Sequence, residues 1–268
     1  VAGATASEDS RQRSRAWIFG LPVDLVDREQ ALQAAARIVE AGGPGLIVTA
    51  DASALIVARR DAEFAGIVRS ADLVTADGAG VVRALRHLGH PLRERVCGVD
   101  LLVDLCGLAA RRGWRVFLLG AAPGVAERAG ERLRERFADL QLAGTHDGYF
   151  SDDAPVVRLI RESRADLLFV GMGMPRQEKW FWAHRHELGV RLAMGVGGSL
   201  DVLSGHVKRA PEFFQRHGLE WLYRFACAPR KSSRKIILLP LFAGLTFAEA
   251  RRRRKERQSA GDHEQSGD

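Results

Sequence analysis

The sequence predicts a doubly wound α/β fold with a mostly parallel sheet, followed by a helical, basic C-terminal appendage. Three observations carry this. Brief apolar runs alternate with longer amphipathic stretches, the runs lack a period of two, and each gives way to Gly or a small polar residue. Apolar runs without alternation are the mark of strands covered on both faces. Strands and helices in alternation then require right-handed crossovers onto a parallel sheet.

In chain order, helical spacing of apolar residues over Arg28–Glu40 precedes the strand-like run Leu46–Thr49. A single helix follows over Ser53–Arg69, then a strand over Asp72–Thr75 and helices over Ala79–Leu88 and Asp100–Arg112. The strand Arg115–Leu119 leads into helices Val125–Phe137 and Ala154–Ser163. The strand Asp166–Val170, the helix Glu178–Leu188 and the strand Leu192–Val196 complete the pattern. Beyond Leu203 the character changes. Pro211–Ala228 is aromatic-rich, with Leu219, Leu222, Phe225 and Ala226 at helical spacing, whereas Ile236–Ala248 is apolar but interrupted by Pro240 and Gly244. No internal repeats occur.

Charge separates the body from the tail. The 268 residues carry a formal net charge of +7. Arg224 to Arg257 holds eleven basic and two acidic residues, +9, so the remainder carries −2. A near-neutral body with one cationic end argues against a protein that wraps nucleic acid. Hydrophobic residues at 46% suffice for a sizeable core. Cys97, Cys106 and Cys227 form no CxxC, which points to reduced thiols rather than a disulfide framework or zinc site. Val1 to Arg15 has no apolar segment of a secretory signal, and no apolar run reaches the 18 residues of a spanning helix.

Ligands of such sheets bind beyond the carboxyl ends of the strands, and four loops there carry suggestive residues. Thr49-Ala50-Asp51 and Thr75-Ala76-Asp77-Gly78 each end a strand with a carboxylate, which either faces the crevice as a base or sugar ligand or caps the next helix. Gly120 to Gly124 is a small-residue loop at a helix start, suited to phosphate but equally an ordinary tight turn; it is not GxGxxG. Gly171-Met-Gly-Met-Pro-Arg-Gln177-Glu-Lys179 ends a strand in glycines and opens a helix. The Gln177 amide could read a nucleobase or ribose, while Lys179 reads as a solvated face. Gly195-Val-Gly197-Gly-Ser-Leu-Asp201 repeats the glycine-then-carboxylate pattern. Lys208, Arg209, Arg224, Arg230, Lys231 and Arg234 supply cations for a diphosphate. No strand ends in Asp-x-Asp and no His/carboxylate cluster has ligand spacing, so cationic side chains are favoured over a metal; Asp152-Asp153 reads as a helix cap.

Taken in order, VTADASALIVARRD, ADLVTADG, RVCGVDL, VFLLGAAPGVAE, GTHDGYF, VGMGMPRQEKW, GVGGSLDVLSGHVKRAP and GLEWLYRF resemble the WecG/TagA/CpsF family of bacterial glycosyltransferases, over about Pro22 to Arg234. The resemblance implies a Rossmann-like enzyme over residues 17–205. It implies inverting, metal- and cofactor-independent transfer of an N-acetylmannosamine-type sugar from UDP to a polyprenyl-diphosphate-linked sugar. It further implies that Asp77 is the catalytic base, with Thr49 and Arg95 beside it. Gln177 and Asp201 would line the nucleotide site together with Asp51, Gly120, Gly124, Gly171 and Gly197, and Arg224 and Arg234 would close over the diphosphate. The family often has Asn where this chain has Asp51, and a second carboxylate there would raise the pKa of Asp77.

Residues 206–257 are expected to form the appendage, with residues 1–16 a disordered leader and 258–268 a disordered tail. Ile236–Ala248, flanked by cations, suits an interfacial segment on an anionic leaflet, or alternatively a terminal helix packed on the body with a solvated Arg run. The first reading puts the enzyme at the inner face of the bacterial plasma membrane, from the cytoplasm. A glucose-type UDP-hexose donor is an alternative within the same fold. A nicotinamide-dependent or non-catalytic nucleotide-binding protein is the alternative from another class. The particular donor, acceptor and polymer, and the oligomeric state with a homo-oligomer included, are left open.

Overall fold

The computed structural model describes residues 14–216, 220, 222–223, 238–252 and 254. A hairpin of β1 (Arg15–Ile18) and β2 (Leu21–Asp24) leads to α1 (Arg28–Ala41), β3 (Gly45–Ala50), α2 (Ala52–Ala58), α3 (Ala62–Ser70) and β4 (Leu73–Ala76). Then come α4 (Ala79–His87), α5 (Gly98–Arg112), β5 (Arg115–Gly120), α6 (Val125–Arg136) and β6 (Gln141–His146). The chain continues through α7 (Asp153–Ser163), β7 (Leu167–Gly171), α8 (Arg176–His184), β8 (Leu192–Gly195), α9 (Ser199–Leu203) and α10 (Glu212–Arg216). Residues 238–252 are also helical.

The central sheet has six strands in the order β4-β3-β8-β7-β5-β6, every pair parallel. The β1–β2 hairpin is separate and antiparallel. Both faces of the sheet are covered, as the unbroken apolar runs require. One core joins α2, α3, α4, α7 and α8 to the sheet around Phe64, Leu85 and Phe181. The other joins α1, α5, α6 and α9 around Val39, Leu101, Ala129 and Leu200. Between adjacent strands β3 and β8, the helix after β3 goes to the first face and the helix after β8 to the second. The loops diverge at that seam and leave a crevice at the carboxyl edge.

Three expectations change. The helix expected over Ser53–Arg69 is two, because Asp61 adopts extended backbone and its carboxylate accepts the Phe64 N–H at 3.0 Å, capping α3 afresh. The strand β6 escaped the apolar pattern because it is an edge strand paired only to β5, with half-exposed residues in place of a buried run. The leader expected over 1–16 ends sooner, since Arg15 and Ala16 pair in β1. Arg15 also forms a salt bridge at 2.8 Å with buried Asp24, whose other oxygen accepts the Val74 N–H and joins the hairpin to β4. The rest of that leader, residues 1–13, and the tail 258–268 lie outside the described residues.

The hairpin turn holds the C-terminal helix. Phe19 and Gly20 both have positive φ, 54° and 73°, the requirement of a two-residue turn matching the strand twist. The Phe19 N–H donates to Glu249 at 3.1 Å, and its ring meets buried Phe242 edge-on at 5.7 Å. Residues 238–252 thus form a helix packed on the body. Leu241 and Phe247 remain exposed on it.

Gly120 tests how tightly the sheet edge is packed. It has φ +129°, and a β-carbon there would lie 2.5 Å from the backbone of Gly171. Gly120→Ala should lower the unfolding free energy by about 3 kcal/mol, combining backbone strain with overpacking. Gly43→Ala, at a position with open space and no positive φ, should stay within about 0.5 kcal/mol. Urea unfolding of the two variants checks both.

Candidate active site

At the β3–β8 seam the Thr49 hydroxyl donates to the Gly195 carbonyl at 3.4 Å. Asp77 follows β4 immediately, and its N–H donates to the Ala50 carbonyl, continuing the sheet pairing by one residue. Asp77 does not cap the helix after it. That cap position belongs to Gly78, with φ 114° and no side-chain bond. Its carboxylate accepts instead from the Gly98 N–H, 3.0 Å away, at the start of α5. A β-carbon on Gly98 would lie 3.3 Å from Asp77 Oδ2 and 3.4 Å from Thr49 Oγ1, so the absent side chain leaves the space between the two open.

The helix terminus and the Gly98 N–H favour a charged Asp77, yet burial outweighs them. Loss of solvation raises its pKa to about 6 against the opposing Gly98 hydrogen bond and Arg95 charge, with Asp51 and Glu220 pushing the same way as burial. The half-buried carboxyl is thus poised between its two protonation states near neutrality, as a general base requires. Asp51 does serve as a cap, accepting the Ala54 N–H at 2.8 Å, and its charge also reaches Asp77, as the departure from Asn implied. Arg95 lies beside Asp77 with both terminal nitrogens bound to Glu220, at 3.0 and 3.1 Å.

The glycine loops turn out to grip one another. Gly120 abuts Gly171, and a β-carbon on Gly171 would come 2.9 Å from the Gly197 carbonyl. The Ala121 N–H donates to the Gly171 carbonyl and the Gly148 N–H to the Ala121 carbonyl, each at 2.9 Å. Gly124, at φ 80°, has open space around it and begins α6. Asp201 lies in the first turn of α9, half-buried, and its carbonyl accepts the Val207 N–H at 3.0 Å.

Gln177 has a different place from the one its amide suggested. It is 4% exposed, its carbonyl oxygen accepts both the Gly173 and Gly197 N–H groups, and its amide nitrogen donates to Glu178 at 2.7 Å. It clasps the loops after β7 and β8 rather than presenting a free edge. Glu178, which sequence reading passed over, is 3% exposed with one carboxyl oxygen lacking a hydrogen bond. Burial first, then the charge of Asp51, drives its pKa to about 7. A carboxylate one turn into a polar helix start gives no sequence signal of burial. Lys179 pairs with Asp61 and Glu63 across to α3. Asp152 caps α7, as expected, while Asp153 accepts from the Trp180 indole at 2.9 Å.

The segment after α9 folds back on this pocket. Arg209 pairs with Asp100 of α5 at 2.7 Å, and Glu220 reaches Arg95. Arg224 and Arg234, like Cys227, lie outside the described residues. Among the described residues no group of three or more His, Cys, Asp or Glu is arranged to hold a metal ion.

Removing the Gln177 clasp should be costly although it is not a reacting group. Gln177→Ala strands two loop N–H groups and the Glu178 carboxyl, lowering stability by about 2–4 kcal/mol at roughly 1–3 kcal/mol for each lost partner, less whatever water repairs. Chemical unfolding measures this directly.

A model of the glycosyl transferase WecG/TagA/CpsF family matches residues 16–256. A relative from Bacillus spizizenii strain W23 is 37% identical over 217 residues, covering 81% of this chain and 82% of its own length. It is named N-acetylglucosaminyldiphosphoundecaprenol N-acetyl-beta-D-mannosaminyltransferase. A relative of the same name from Staphylococcus aureus MRSA252 is 36% identical over 211 residues, 78% of this chain and 82% of that one. An α/β sheet doubly wound around an Asp77 crevice thus joins a match over nearly the whole described chain: the protein belongs to the WecG/TagA/CpsF family of glycosyltransferases.

Proposed function

We propose that the protein transfers N-acetylmannosamine from UDP to N-acetylglucosamine carried on a polyprenyl diphosphate, with inversion and without a metal ion. The observation that carries this reading is Asp77, a carboxyl with pKa near 6 beside Thr49 and Arg95 at the mouth of the seam. The relatives' printed names supply the sugar and the acceptor class.

Asp77 accepts the proton of the acceptor hydroxyl as its oxygen bonds to the anomeric carbon, while the bond from that carbon to the UDP oxygen breaks. One displacement inverts the anomeric centre. The departing diphosphate takes the electron pair and needs cationic compensation. Arg95 is assigned part of it: among the described residues its hydrogen bonds are the two to Glu220, and a guanidinium has five N–H donors. Arg224 and Arg234 are assigned to the same task by their place in the family motif. We assign the protein to a membrane surface because its proposed acceptor is lipid-borne; Leu241 and Phe247, exposed on the packed helix, and the adjoining cations Arg251, Arg252 and Arg254 would suit such a surface. No helix among the described residues is long and apolar enough to cross a membrane.

Asp77→Asn should lower kcat/KM by about 10²–10⁴, the usual worth of a positioned base. UDP release is followed with a short-chain polyprenyl-diphosphate-GlcNAc analogue as acceptor. Wild-type rates in the variant, or release driven by UDP-glucose and not UDP-N-acetylmannosamine, would sink the base or the sugar assignment respectively. The same variant should be the more stable protein above pH 6. Folded Asp77 holds its proton to about pH 6 and the unfolded chain only to about 3.8, so ionisation costs stability across that window. Asn avoids the cost, and melting temperatures should diverge as pH rises from 4 to 6 and then run parallel.

A further inference from the structure

We propose that Glu220 is a positioning residue of the catalytic pocket, which fixes the Arg95 guanidinium in a forked pair and so limits what that cation does at Asp77. The inference rests on the assignment of Asp77 as base.

The geometry is a forked pair. Arg95 NH1 and NH2 donate to the two oxygens of Glu220 at 3.0 and 3.1 Å, across 125 residues of chain. Both side chains are largely buried, 19% and 16% exposed, so the pair is neither loosely solvated nor freely exchanging with neighbours. Two parallel bonds fix the plane of the guanidinium as well as its position. A pair of this kind orients a group far better than a single surface contact does.

The charges around Asp77 give the fork its purpose. Among the described residues Arg95 is a cation that acts on Asp77, and it is opposed there by Asp51 from the cap of α2 and by Glu220 from the C-terminal segment. Cys97, at the cap of α5, lies in the same field but is held as a neutral thiol, with its pKa pushed up to about 12 by burial first and then by Asp77. Asp100, the next charge along α5, is already paired to Arg209 of the segment after α9. Without Glu220, Arg95 loses its forked partner while its charge still acts on Asp77. An Asp–Arg contact holds the carboxylate in its charged form and weakens it as a base. Glu220 therefore keeps the base basic in two ways, by its own charge and by occupying the fork.

The test uses the full chain and the pH dependence of kcat/KM, with UDP-N-acetylmannosamine and the short-chain acceptor. Glu220→Gln, isosteric with the wild type, should move the acid limb of the profile down by about one pH unit. In an Arg95→Gln background the same change should move it by less than half as much, because no guanidinium remains to be released. An acid limb that stays in place in Glu220→Gln, or an equal shift in both backgrounds, overturns the proposal. Should a circular dichroism melt show that Glu220→Gln does not fold, Glu220→Asp, too short by a methylene to grip both nitrogens, is read instead for a smaller shift in the same direction. Full activity in Asp77→Asn overturns the base assignment alone, whereas an unmoved limb in an Asp77-dependent enzyme overturns the role of Glu220 alone.

Discussion

Gly120 and Gly171 are the last residues of β5 and β7, Gly197 lies in the loop after β8, and a β-carbon on either of the first two would come within 3 Å of its neighbour's backbone. The carboxyl edge of the parallel sheet is closed by that contact. The ends of β5, β7 and β8 approach this closely because the touching positions carry no side chains. The Gln177 carboxamide then ties the same loops together through the Gly173 and Gly197 N–H groups. These glycines were expected to let a ligand approach the backbone; what they admit in this structure is another backbone. A rigid rim results, and against it the neighbouring β3–β4 edge presents Thr49 and Asp77.

Electrostatics at that edge runs against the usual preference of a carboxylate. Asp77 receives a helix-terminal N–H and has an arginine at hand, both of which favour its charge. Burial and two further carboxylates prevail nonetheless. The pocket gives up stability above pH 6 by holding a carboxyl whose pKa is raised to about 6, a pattern common to sites tuned for proton transfer. Glu178 shows the same logic one layer deeper, where a buried carboxyl beside Asp51 is pushed to about 7.

Much of the fold was legible in sequence, because parallel strands buried on both sides leave unbroken apolar runs and because helices keep their period. Five of the six sheet strands were located in this way. The sixth, β6, is an edge strand without the apolar signal, and the β1–β2 hairpin is too short and local to register. The division of Ser53–Arg69 depended on Asp61 acting as a cap, which only a local break in backbone geometry reveals. Within the site, Asp77 and Asp51 were visible as carboxylates at strand ends. Nothing in the residue order distinguished the one that caps its own helix from the one that turns to Gly98 of another.

The sequence by itself determined the layering of the domain, the sheet edge at which Thr49, Asp51 and Asp77 gather, and the family. Those follow from periodicity and ordered motifs, which are properties of adjacent residues. Tertiary structure alone decided the roles of Gln177, Glu178 and Glu220. Each depends on a partner from elsewhere in the fold, and on a burial that makes an unpaired or paired charge count. Arg95 and Glu220 are 125 residues apart in the chain and share one fork in space. The meeting is set by how α5 and the returning C-terminal segment pack, which no local pattern encodes.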